Sequence, residues 1–318
     1  MTTNLSAFSL NDQITGWNNP KKTKEQKELL RSRGSLLNTR MKYPLTLKLR
    51  MAKTRIQSAI DRFGEDACYI GFSGGKDSTI LSHITLSMGY KIDHTFSNTR
   101  LEYPECIEFA KRWCEENNIK LNMVLPEVTP EEIWKKHGYP MFSKEIADIL
   151  ERLRIKGNNV NPKKIDRIKT FMKYKNVPIS AKCCDLLKKS PMKKWAEESG
   201  KRVAILGTRA EESQVRRMVW VRKGCIYENK ERVVVNPIIF FTEEDINKYA
   251  KKNHIRFAEI YYKEGIKRNG CYCCGFGCHI AEENNFVKLK RLNPQLWKHV
   301  MDTWGFREIC RKCEAEIE

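Results

Sequence analysis

Short apolar runs alternate with amphipathic stretches along the middle of the chain, and this alternation predicts strands and helices in turn. The runs that fit buried strands in length and composition are 67–72, 91–97, 120–125 and 203–206. In the stretches between them, apolar residues recur at spacings of three and four, the period of a helix with one buried face. Strands that alternate with helices in this way predict an α/β fold with a parallel sheet.

The same pattern divides the chain into three parts. Residues 1–40 predict a loosely ordered basic arm with a short basic helix over 22–33, 41–255 the α/β domain, and 256–318 a cysteine-rich C-terminal region. Inside the α/β domain, lysine-dense helical patterns that break at Gly157 predict a helical insertion over about 141–178.

Two helix boundaries follow from capping residues. Apolar residues on one face predict a helix from Leu45 to Phe63, and Gly64 stands where a C-cap glycine belongs. Thr242 with Asp245 three residues later is typical of a helix start with a capping box.

The sharpest motif joins the first strand to a helix expected over about 77–88, and it reads Ser73-Gly74-Gly75-Lys76-Asp77-Ser78. The two glycines can take the positive φ of a tight turn, and without side chains they let an oxyanion approach the backbone N–H groups. The helix N-terminus adds unsatisfied donors and the positive end of its dipole. Together with the two serine hydroxyls and the lysine charge, the motif predicts a pocket for phosphate or pyrophosphate.

The adjacent glycines, with the lysine directly after them, differ from the Gly-x-x-x-x-Gly-Lys-Ser/Thr loop of P-loop NTPases. Ser-Gly-Gly-Lys-Asp-Ser instead resembles the signature of the PP-loop family, the adenine nucleotide α-hydrolases. The resemblance implies a Rossmann-like, doubly wound sheet that holds an adenine nucleotide and acts next to its α-phosphorus. It assigns Lys76 and Asp77 to catalysis as well as to binding.

Polar residues also follow two further strands, at the edge where open α/β sheets bind ligands. Asn98, Thr99 and Glu102 come after the second strand, and Gly207 and Arg209 come after the strand 203–206. The planar guanidinium of an arginine matches phosphate or sulfate in two hydrogen bonds. We therefore expect these residues to complete the nucleotide pocket.

The twelve cysteines are the second chemical feature. The polar N-terminus lacks the apolar centre of a signal peptide, so metal or redox chemistry is favoured over a disulfide framework. Cys271 and Cys274 have the Cys-x-x-Cys spacing at which two thiolates can share a metal, and Cys310 and Cys313 repeat it.

Two ligand sets are open at this point. These two pairs could hold a structural zinc ion, or the first pair could join the adjacent Cys183 and Cys184 on an iron–sulfur cluster. Residue types alone do not decide between them, since thiolate sites accept either metal.

The order of the motifs resembles the phosphoadenosine phosphosulfate (PAPS) reductase family, and its prophage-type members in particular. The matching motifs are Cys183-Cys184, Gly207-x-Arg209, Thr242-Glu-Glu-Asp245 and Gly270-Cys271-x-x-Cys274. In the loop after the second strand the chain keeps Thr99, Glu102 and Pro104 but has Asn98 and Arg100 where the family has Asp and Gly.

The resemblance implies a four-iron four-sulfur cluster on Cys183, Cys184, Cys271 and Cys274. The prophage-type pattern also has a Gly-Cys before the last strand, which makes Cys225 an alternative to Cys183. Reductases of this family attack sulfur with a cysteine on a C-terminal tail. Cys310 or Cys313 would serve here, next to two basic residues that favour a thiolate, but the Glu-Cys-Gly-like setting of the family is missing.

The net charge and the lack of a long apolar run indicate which partners and which location the protein has. The chain has 59 Lys+Arg against 39 Asp+Glu, a formal net charge of +20, which indicates either a solvated surface or a nucleic-acid partner. It has no apolar run of about 18 residues, so we expect no membrane span and a cytoplasmic protein.

The leading hypothesis is an enzyme of the PAPS reductase family that reduces a sulfonucleotide, PAPS or adenosine phosphosulfate (APS), with a thiol reductant. The alternative is an ATP-dependent sulfur transferase that takes ATP with Mg²⁺ and a sulfur donor and modifies tRNA or DNA. A third hypothesis is a nucleotide-sensing protein that binds nucleic acid without turnover. The sequence leaves the oligomeric state open, a homo-oligomer included.

Overall fold

The computed structural model describes residues 23–157, 160–228, 232–263, 266–281 and 283–317. The described chain forms two compact units. The first takes the residues up to Phe96, Phe109–Asn122 and Ala196–Ala258; the second takes Ser97–Glu108, Met123–Trp195 and the residues from Glu259 onward. The chain therefore passes from one unit to the other several times.

The strands of the described chain are short. In chain order they are β1 (Cys68–Gly71), β2 (His94–Ser97), β3 (Leu121–Val124), β4 (Met141–Phe142), β5 (Val203–Leu206), β6 (Ile226–Glu228), β7 (Val233–Val235) and β8 (Gly275–Phe276). Six of them form one sheet in the order β3-β2-β1-β5-β7-β6. β1 is parallel to β2 and β5, β5 is parallel to β7, and β6 runs antiparallel at the edge.

This sheet confirms the predicted doubly wound α/β fold. The first three residues of β1 are fully buried, as are the first three of β5, in agreement with apolar runs covered on both faces. Because β1, β5 and β7 are parallel, their carboxyl ends lie at one edge of the sheet. The segments that follow these strands therefore share that edge.

Helices connect the strands and cover the sheet. In chain order they are α1 (Lys24–Met41), α2 (Leu45–Phe63), α3 (Lys76–Leu86), α4 (Pro104–Glu116), α5 (Pro130–His137), α6 (Lys144–Lys156), α7 (Pro162–Arg167), α8 (Lys182–Cys184), α9 (Ser190–Ser199), α10 (Gln214–Lys223), α11 (Glu243–Lys252), α12 (Asn285–Leu292), α13 (Pro294–Lys298) and α14 (Phe306–Lys312). In the part of the chain that the structure describes, none is both long and apolar enough to cross a membrane.

Both helix boundaries predicted from capping residues are confirmed. α2 ends at Gly64, whose φ is 82° and whose N–H donates to the Ile60 carbonyl at 2.8 Å. At the start of α11, the Thr242 side chain accepts from the Asp245 N–H, and the Asp245 carboxylate accepts from the Thr242 N–H.

The basic segment at the beginning of the chain contains a longer helix than the one expected over 22–33. Residues 1–22 lie outside the described residues, and the helix α1 continues to Met41, opened by a capping box between Thr23 and Gln26. Leu37 of α1 is fully buried in an apolar cluster with Trp220 and Phe240. Burial of this one face orders the segment despite its high charge.

The second unit contains the region predicted as a helical insertion. This region begins with a strand, because β4 pairs in parallel with β8 near the end of the chain. The helices α6 and α7 follow, with a 3₁₀ turn over Lys169–Tyr174. A two-residue strand that pairs with a partner 134 residues later has no local sequence signal, which is why the pattern indicated helix alone.

Candidate functional site

The loop after β1 is closed by its own two serines. The Ser78 hydroxyl donates to the Gly75 carbonyl at 2.9 Å, and the Ser73 N–H donates to the Ser78 hydroxyl oxygen at 3.3 Å. The Gly75 N–H in turn donates to the Ser73 hydroxyl oxygen at 3.3 Å. Only Gly74 has a positive φ, 65°, whereas Gly75 is extended at −85°. The expectation that the turn uses positive φ therefore holds for Gly74 alone.

Gly75 is the N-cap of α3, and no side chain caps this helix. The N–H groups of the first turn consequently lack the partner that a serine or aspartate cap would provide. This is the arrangement in which a helix N-terminus receives a phosphate oxygen.

Gly207, directly after β5, approaches the first turn of α3 from the neighbouring strand. A Cβ atom at this position would lie 3.0 Å from the Asp77 carbonyl carbon and oxygen and 3.1 Å from the Ser78 nitrogen. Any larger residue would push against the backbone of the turn. The structure thus gives Gly207 a positioning role that its place at a strand end did not reveal.

Arg209 follows Gly207 and is surrounded by three carboxylates. Its Nε donates to Asp77 Oδ1 at 2.6 Å, Nη1 to Glu211 Oε2 at 2.8 Å and Nη2 to Glu243 Oε2 at 2.7 Å. The side chain is 6% exposed. The other carboxylate oxygen of Glu243 accepts from Lys76 Nζ at 2.8 Å. The segments after β1, β5 and β7 are therefore joined by one network of ion pairs, here called the Arg209 network.

The pKa shifts in this network follow from burial and from the two cations. Burial raises the pKa of Asp77, and the neighbouring Arg209 opposes the rise without cancelling it. Burial also acts to raise the pKa of Glu243, but Lys76 and Arg209 outweigh it, so the net shift is downward. The three carboxylates already bind the Arg209 guanidinium. The network therefore holds this side chain in place and does not leave it as a free anion site.

In the second unit, Cys183 lies within range of the charges of Cys184, Cys271 and Cys274, and these four thiols are here called the cysteine group. The Cys183 and Cys184 thiols share a hydrogen bond, and the charges of Cys271 and Cys274 act on Cys183. The shared hydrogen bond lowers the pKa of the Cys184 thiol and raises that of Cys183, as expected of two coupled thiols. Burial raises the pKa of Cys271 to about 11.

The loop after β2 lies beside this cysteine group. Glu102 pairs with Cys271 through a β-bridge, and the Thr99 hydroxyl is 3.7 Å from the Cys271 sulfur. The Glu102 carboxylate accepts from the Thr99 N–H and hydroxyl, both at 2.8 Å. The Asn98 side chain accepts from the Arg100 N–H at 2.9 Å, in a turn where Arg100 has a φ of 69°. The sequence had assigned Asn98, Thr99 and Glu102 to the nucleotide and gave no sign of the contact with Cys271.

The other Cys-x-x-Cys pair lies within range of the charge of a third thiol, Cys278. Burial raises the pKa of Cys310 and of Cys313, and the charge of Cys278 raises both further. Cys278 also acts on Cys274, so it connects the two Cys-x-x-Cys pairs electrostatically. Cys310 and Cys313 lie on and directly after α14 and are 0% and 3% exposed. The zinc set that combines the two pairs stays a prediction.

Cys225 lies in the first unit, between α10 and β6. Its sulfur accepts a hydrogen bond from Trp220 Nε1 at 3.0 Å, and it packs against the apolar cluster of α1. The twelve cysteines are all free thiols. Among the described residues, no three His, Cys, Asp or Glu side chains stand in a geometry that could hold a metal ion.

Sequence reasoning missed two carboxylates and one thiol. Glu211 and Glu243 complete the Arg209 network, and Cys278 lies with the C-terminal pair. Glu243 had a usable signal, because it directly follows the N-cap Thr242 and so lies in the first turn of a helix that begins after β7. Glu211 and Cys278 carry no such signal.

The comparisons with known proteins agree with this architecture. The family model described as the phosphoadenosine phosphosulfate reductase domain matches residues 67–154 and 142–276. Among curated proteins, an uncharacterized protein of Methanocaldococcus jannaschii is 24% identical over 241 residues, which are 74% of this chain and 48% of that protein. The chain thus spans about half the length of this relative.

Two solved structures illustrate the range of similar chains. A phosphoadenylyl-sulfate reductase from Candida auris in a phosphate complex is 15% identical, with a TM-score of 0.44, over 76% of this chain and 92% of that one. A U34-tRNA thiolase from Methanococcus maripaludis with its 4Fe-4S cluster is 12% identical, with a TM-score of 0.38, over 84% of this chain and 80% of that one.

Proposed function

Because the chain belongs to the phosphoadenosine phosphosulfate reductase domain family, we propose that it is an adenine-nucleotide enzyme of sulfur metabolism. We place it among ATP-dependent sulfur transferases that act on nucleic acid. The observation that carries this choice over sulfonucleotide reduction is the burial of Cys310 and Cys313. A reductase of the family needs a C-terminal thiolate that can reach the substrate's sulfur.

Burial acts directly against such a role. It raises the pKa of Cys310, and neighbouring thiols raise it further; the pKa of Cys313 rises to about 12 for the same reasons. Since the thiolate is the nucleophile, a buried thiol with a raised pKa is a poor one. A sulfur transferase does not depend on these two residues.

The glycine loop would bind the phosphates of ATP. The uncapped N-terminus of α3 supplies backbone N–H groups, and the hydroxyls of Ser73 and Ser78 line the turn. Lys76 would turn from Glu243 to the phosphates as they arrive, and Mg²⁺ would enter with the nucleotide. Gly207 and Arg209 would position Asp77, and with it the first turn of the helix, from the neighbouring strand.

The chemistry proceeds in two balanced steps. An oxygen of the nucleic acid attacks the α-phosphorus of ATP, and pyrophosphate leaves. A sulfur nucleophile at the oxidation level of hydrosulfide then attacks the activated carbon, and AMP leaves with the oxygen. The protein's part is to align the acceptor oxygen with the α-phosphorus and to stabilise the charge on the departing pyrophosphate.

The cysteine group fits a four-iron four-sulfur cluster in residue type and number. Four thiols, two adjacent and two in Cys-x-x-Cys spacing, are what such a cluster needs. Cys183, Cys184, Cys271 and Cys274 would hold it, and Cys225, whose sulfur accepts a hydrogen bond from Trp220, is left out of the proposed set. When bound, the cluster would supply a site for sulfur. Thr99 and Glu102 would orient Cys271 through their hydrogen bonds.

The first test measures iron on anaerobically purified protein. We expect about four iron per chain and the visible absorption of a cluster, both lost in Cys274→Ala. Cys114→Ala is the control, because Cys114 is a buried thiol of α4 whose pKa is shifted by burial alone and by no other cysteine. One zinc and no iron would remove the cluster from the proposal and leave the nucleotide site.

The second test measures products. We expect pyrophosphate release from ATP that depends on tRNA or DNA, with labelled sulfur appearing in the same nucleic acid. Ser78→Ala should reduce the rate by about 100-fold, as for the loss of one preorganised donor. Sulfite release from PAPS or APS in the presence of a thiol reductant would overturn the proposal in favour of reduction. Nucleotide binding without any turnover would overturn both.

A further inference from the structure

Three arginines of the first unit stand together, and no described carboxylate pairs with them. Arg33 and Arg40 of α1 both lie over the Trp220 ring, 5.8 and 5.9 Å from its centroid. Arg40 and Arg55 both lie over the Phe240 ring, at 5.4 and 4.8 Å. Two shared rings thus hold three guanidiniums in one place, here called the arginine cluster.

The other contacts of the cluster are with backbone carbonyl groups and with one thiol, Cys225, which shares a hydrogen bond with Arg55. Arg33 Nη2 donates to the Trp220 carbonyl at 3.4 Å, and Arg55 Nη1 donates to the Pro237 carbonyl at 3.2 Å. Burial lowers the pKa of Arg33 and of Arg55; the charge of Cys225 opposes this shift, and the charge of Arg40 adds to it. Among the described residues no carboxylate pairs with the three guanidiniums, so the cluster is arranged for an anion from outside.

The helices around the cluster extend its charge. α1 and α10 pack on each other through Leu37 and Trp220. Together they carry nine basic residues and two acidic ones: Lys24, Lys27, Arg31, Arg33, Arg40, Arg216, Arg217, Arg222 and Lys223 against Glu25 and Glu28. Val215 of α10 is 73% exposed among these charges, and Leu36 and Met218 are also exposed. Apolar side chains between cations suit the sugars and bases of a nucleic acid.

The position of the cluster relates it to the glycine loop. α10 begins five residues after Arg209, and β6 begins opposite the end of β7, with Ile226 beside Val235. Both ends of α10 are therefore at the carboxyl edge of the sheet, the edge that carries the loop. Three strand spacings separate β1 from β6, which is roughly 14 Å, a distance that a few nucleotides span.

We propose that the arginine cluster and the basic face of α1 and α10 bind the phosphate backbone of the nucleic acid on which the enzyme acts. This inference rests on the proposed function, which names a nucleic acid as acceptor. A polyanion is favoured over a single phosphate because the charges continue along two helices. Bound there, the strand would lead its reacting nucleotide toward the α-phosphorus at the same edge.

The test compares salt dependence in matched variants. Binding of a labelled single-stranded DNA and of labelled tRNA is measured by anisotropy over a series of salt concentrations. We expect Arg40→Gln with Arg55→Gln to lower the slope of log K against log salt by about 2, one for each lost phosphate contact. Lys27→Gln with Lys223→Gln, both exposed, tests the same face without touching the packed rings. It should act in the same direction, even if the cluster variant fails to fold.

The control removes two charges elsewhere on the first unit. Lys251→Gln with Lys252→Gln, exposed at the end of α11, should leave the slope unchanged. Equal slopes in all proteins, or equal losses in the control, would overturn the proposal.

If the surface variants bind like wild type while sulfur still enters the nucleic acid, the proposed function stands and the proposal that this surface binds nucleic acid is wrong. If binding depends on the cluster but no sulfur is transferred, the surface stands and the proposed function fails. The stronger of the two probes identifies the acceptor as RNA or DNA.

Discussion

Arg209 Nε donates to Asp77 Oδ1 across 2.6 Å, and this contact ties the segment after β5 to the first turn of α3. The two residues are 132 positions apart, yet each follows directly from a strand of the same parallel sheet. Glu243, after β7, holds the other end of the guanidinium. The geometry of the glycine loop is thus set by three strand ends together.

Replacing Arg209 tests this linkage. Arg209→Ala would leave Asp77, Glu211 and Glu243 facing one another without their shared cation. We expect a loss of about 3 kcal/mol in the free energy of unfolding, near the lower end of the range for broken buried ion pairs. The loss is at the lower end because two of the carboxylates are half exposed to solvent. Urea denaturation measures the loss, and nucleotide affinity should fall with it.

A second variant of Arg209 separates the effect of its charge from that of its geometry, and a variant of Arg307 provides an exposed comparison. Arg209→Lys keeps the charge but offers one nitrogen in place of a planar fork, so it should recover only part of the stability. Arg307→Ala breaks an exposed pair with Asp302 that solvent screens, so its loss of stability should be much smaller than that of Arg209→Ala. Similar losses for Arg307→Ala and Arg209→Ala would show that the Arg209 network contributes no more to the free energy of unfolding than an exposed ion pair.

Gly207→Ala tests the close approach of the backbones. The added Cβ would meet the Asp77 carbonyl and the Ser78 nitrogen at about 3.0 Å, so the first turn of α3 must shift. We expect a cost of about 1–3 kcal/mol, as for overpacking, and weaker nucleotide binding measured by calorimetry. Gly34→Ala is the control, because a Cβ there meets nothing within 4 Å and α1 should become slightly more stable. Unchanged binding by Gly207→Ala would mean that the loop tolerates the shift.

The glycine loop was predictable because its signal is local. An apolar strand, two glycines and a helix start lie within about a dozen consecutive residues, and each has a direct physical meaning. The partners of Arg209 were not predictable in this way. Glu243 reaches the guanidinium because strand order places β7 beside β5, and strand order cannot be derived from a single sequence. Glu211 is only two residues from Arg209, but no local pattern shows that its side chain turns toward the guanidinium.

The grouping of the cysteines was also only partly predictable from the sequence. Spacing identified both Cys-x-x-Cys pairs, and resemblance to a family selected one of them for a cluster with Cys183 and Cys184. That Cys278 joins Cys310 and Cys313 depends on how α14 packs in the second unit, which spacing does not encode. Likewise, the contact between Thr99 and Cys271 depends on a single β-bridge between distant segments.

The buried pair of Lys48 and Asp245 leads to a prediction about the same sheet edge. Lys48 Nζ lies 2.5 Å from Asp245 Oδ2, with the lysine side chain 3% exposed. The same carboxylate oxygen accepts from the N–H and hydroxyl of Thr242 at the start of α11. Lys48→Met should cost about 3–5 kcal/mol in unfolding free energy, since it leaves a buried carboxylate with only neutral donors.

A double variant shows whether the pair acts as one unit. Lys48→Met with Asp245→Asn removes both charges and keeps a side chain that can cap the helix. Its unfolding free energy should lie closer to wild type than the sum of the two single losses predicts, by about 1–3 kcal/mol. Strictly additive losses would show that the two residues act independently.

His94 on β2 leads to a prediction about pH. Its Nδ1–H donates to the Ile92 carbonyl at 2.9 Å, so its Nε2 accepts from the Ser82 hydroxyl at 2.7 Å. The Ser82 oxygen is held in turn by the Trp113 indole N–H at 2.8 Å. Every polar atom of the imidazole therefore has a partner that suits the neutral ring. Burial lowers the pKa of His94 to about 4, although hydrogen bonds and Asp93 oppose the shift.

Acid should consequently destabilise the fold through His94. The unfolded chain binds this proton near pH 6.5 and the folded chain only near pH 4, so stability rises with pH between these values. The contribution of His94 is fully present above pH 6.5, falls as the pH drops through this window and is lost below about pH 4, a change of roughly 3 kcal/mol. The measurement is urea denaturation of wild type and His94→Gln at several pH values. We expect the difference in unfolding free energy between the two proteins to shrink steadily from pH 7 to pH 4. A difference that stays constant over this range would mean that the imidazole takes up its proton in the folded protein as readily as in the unfolded chain.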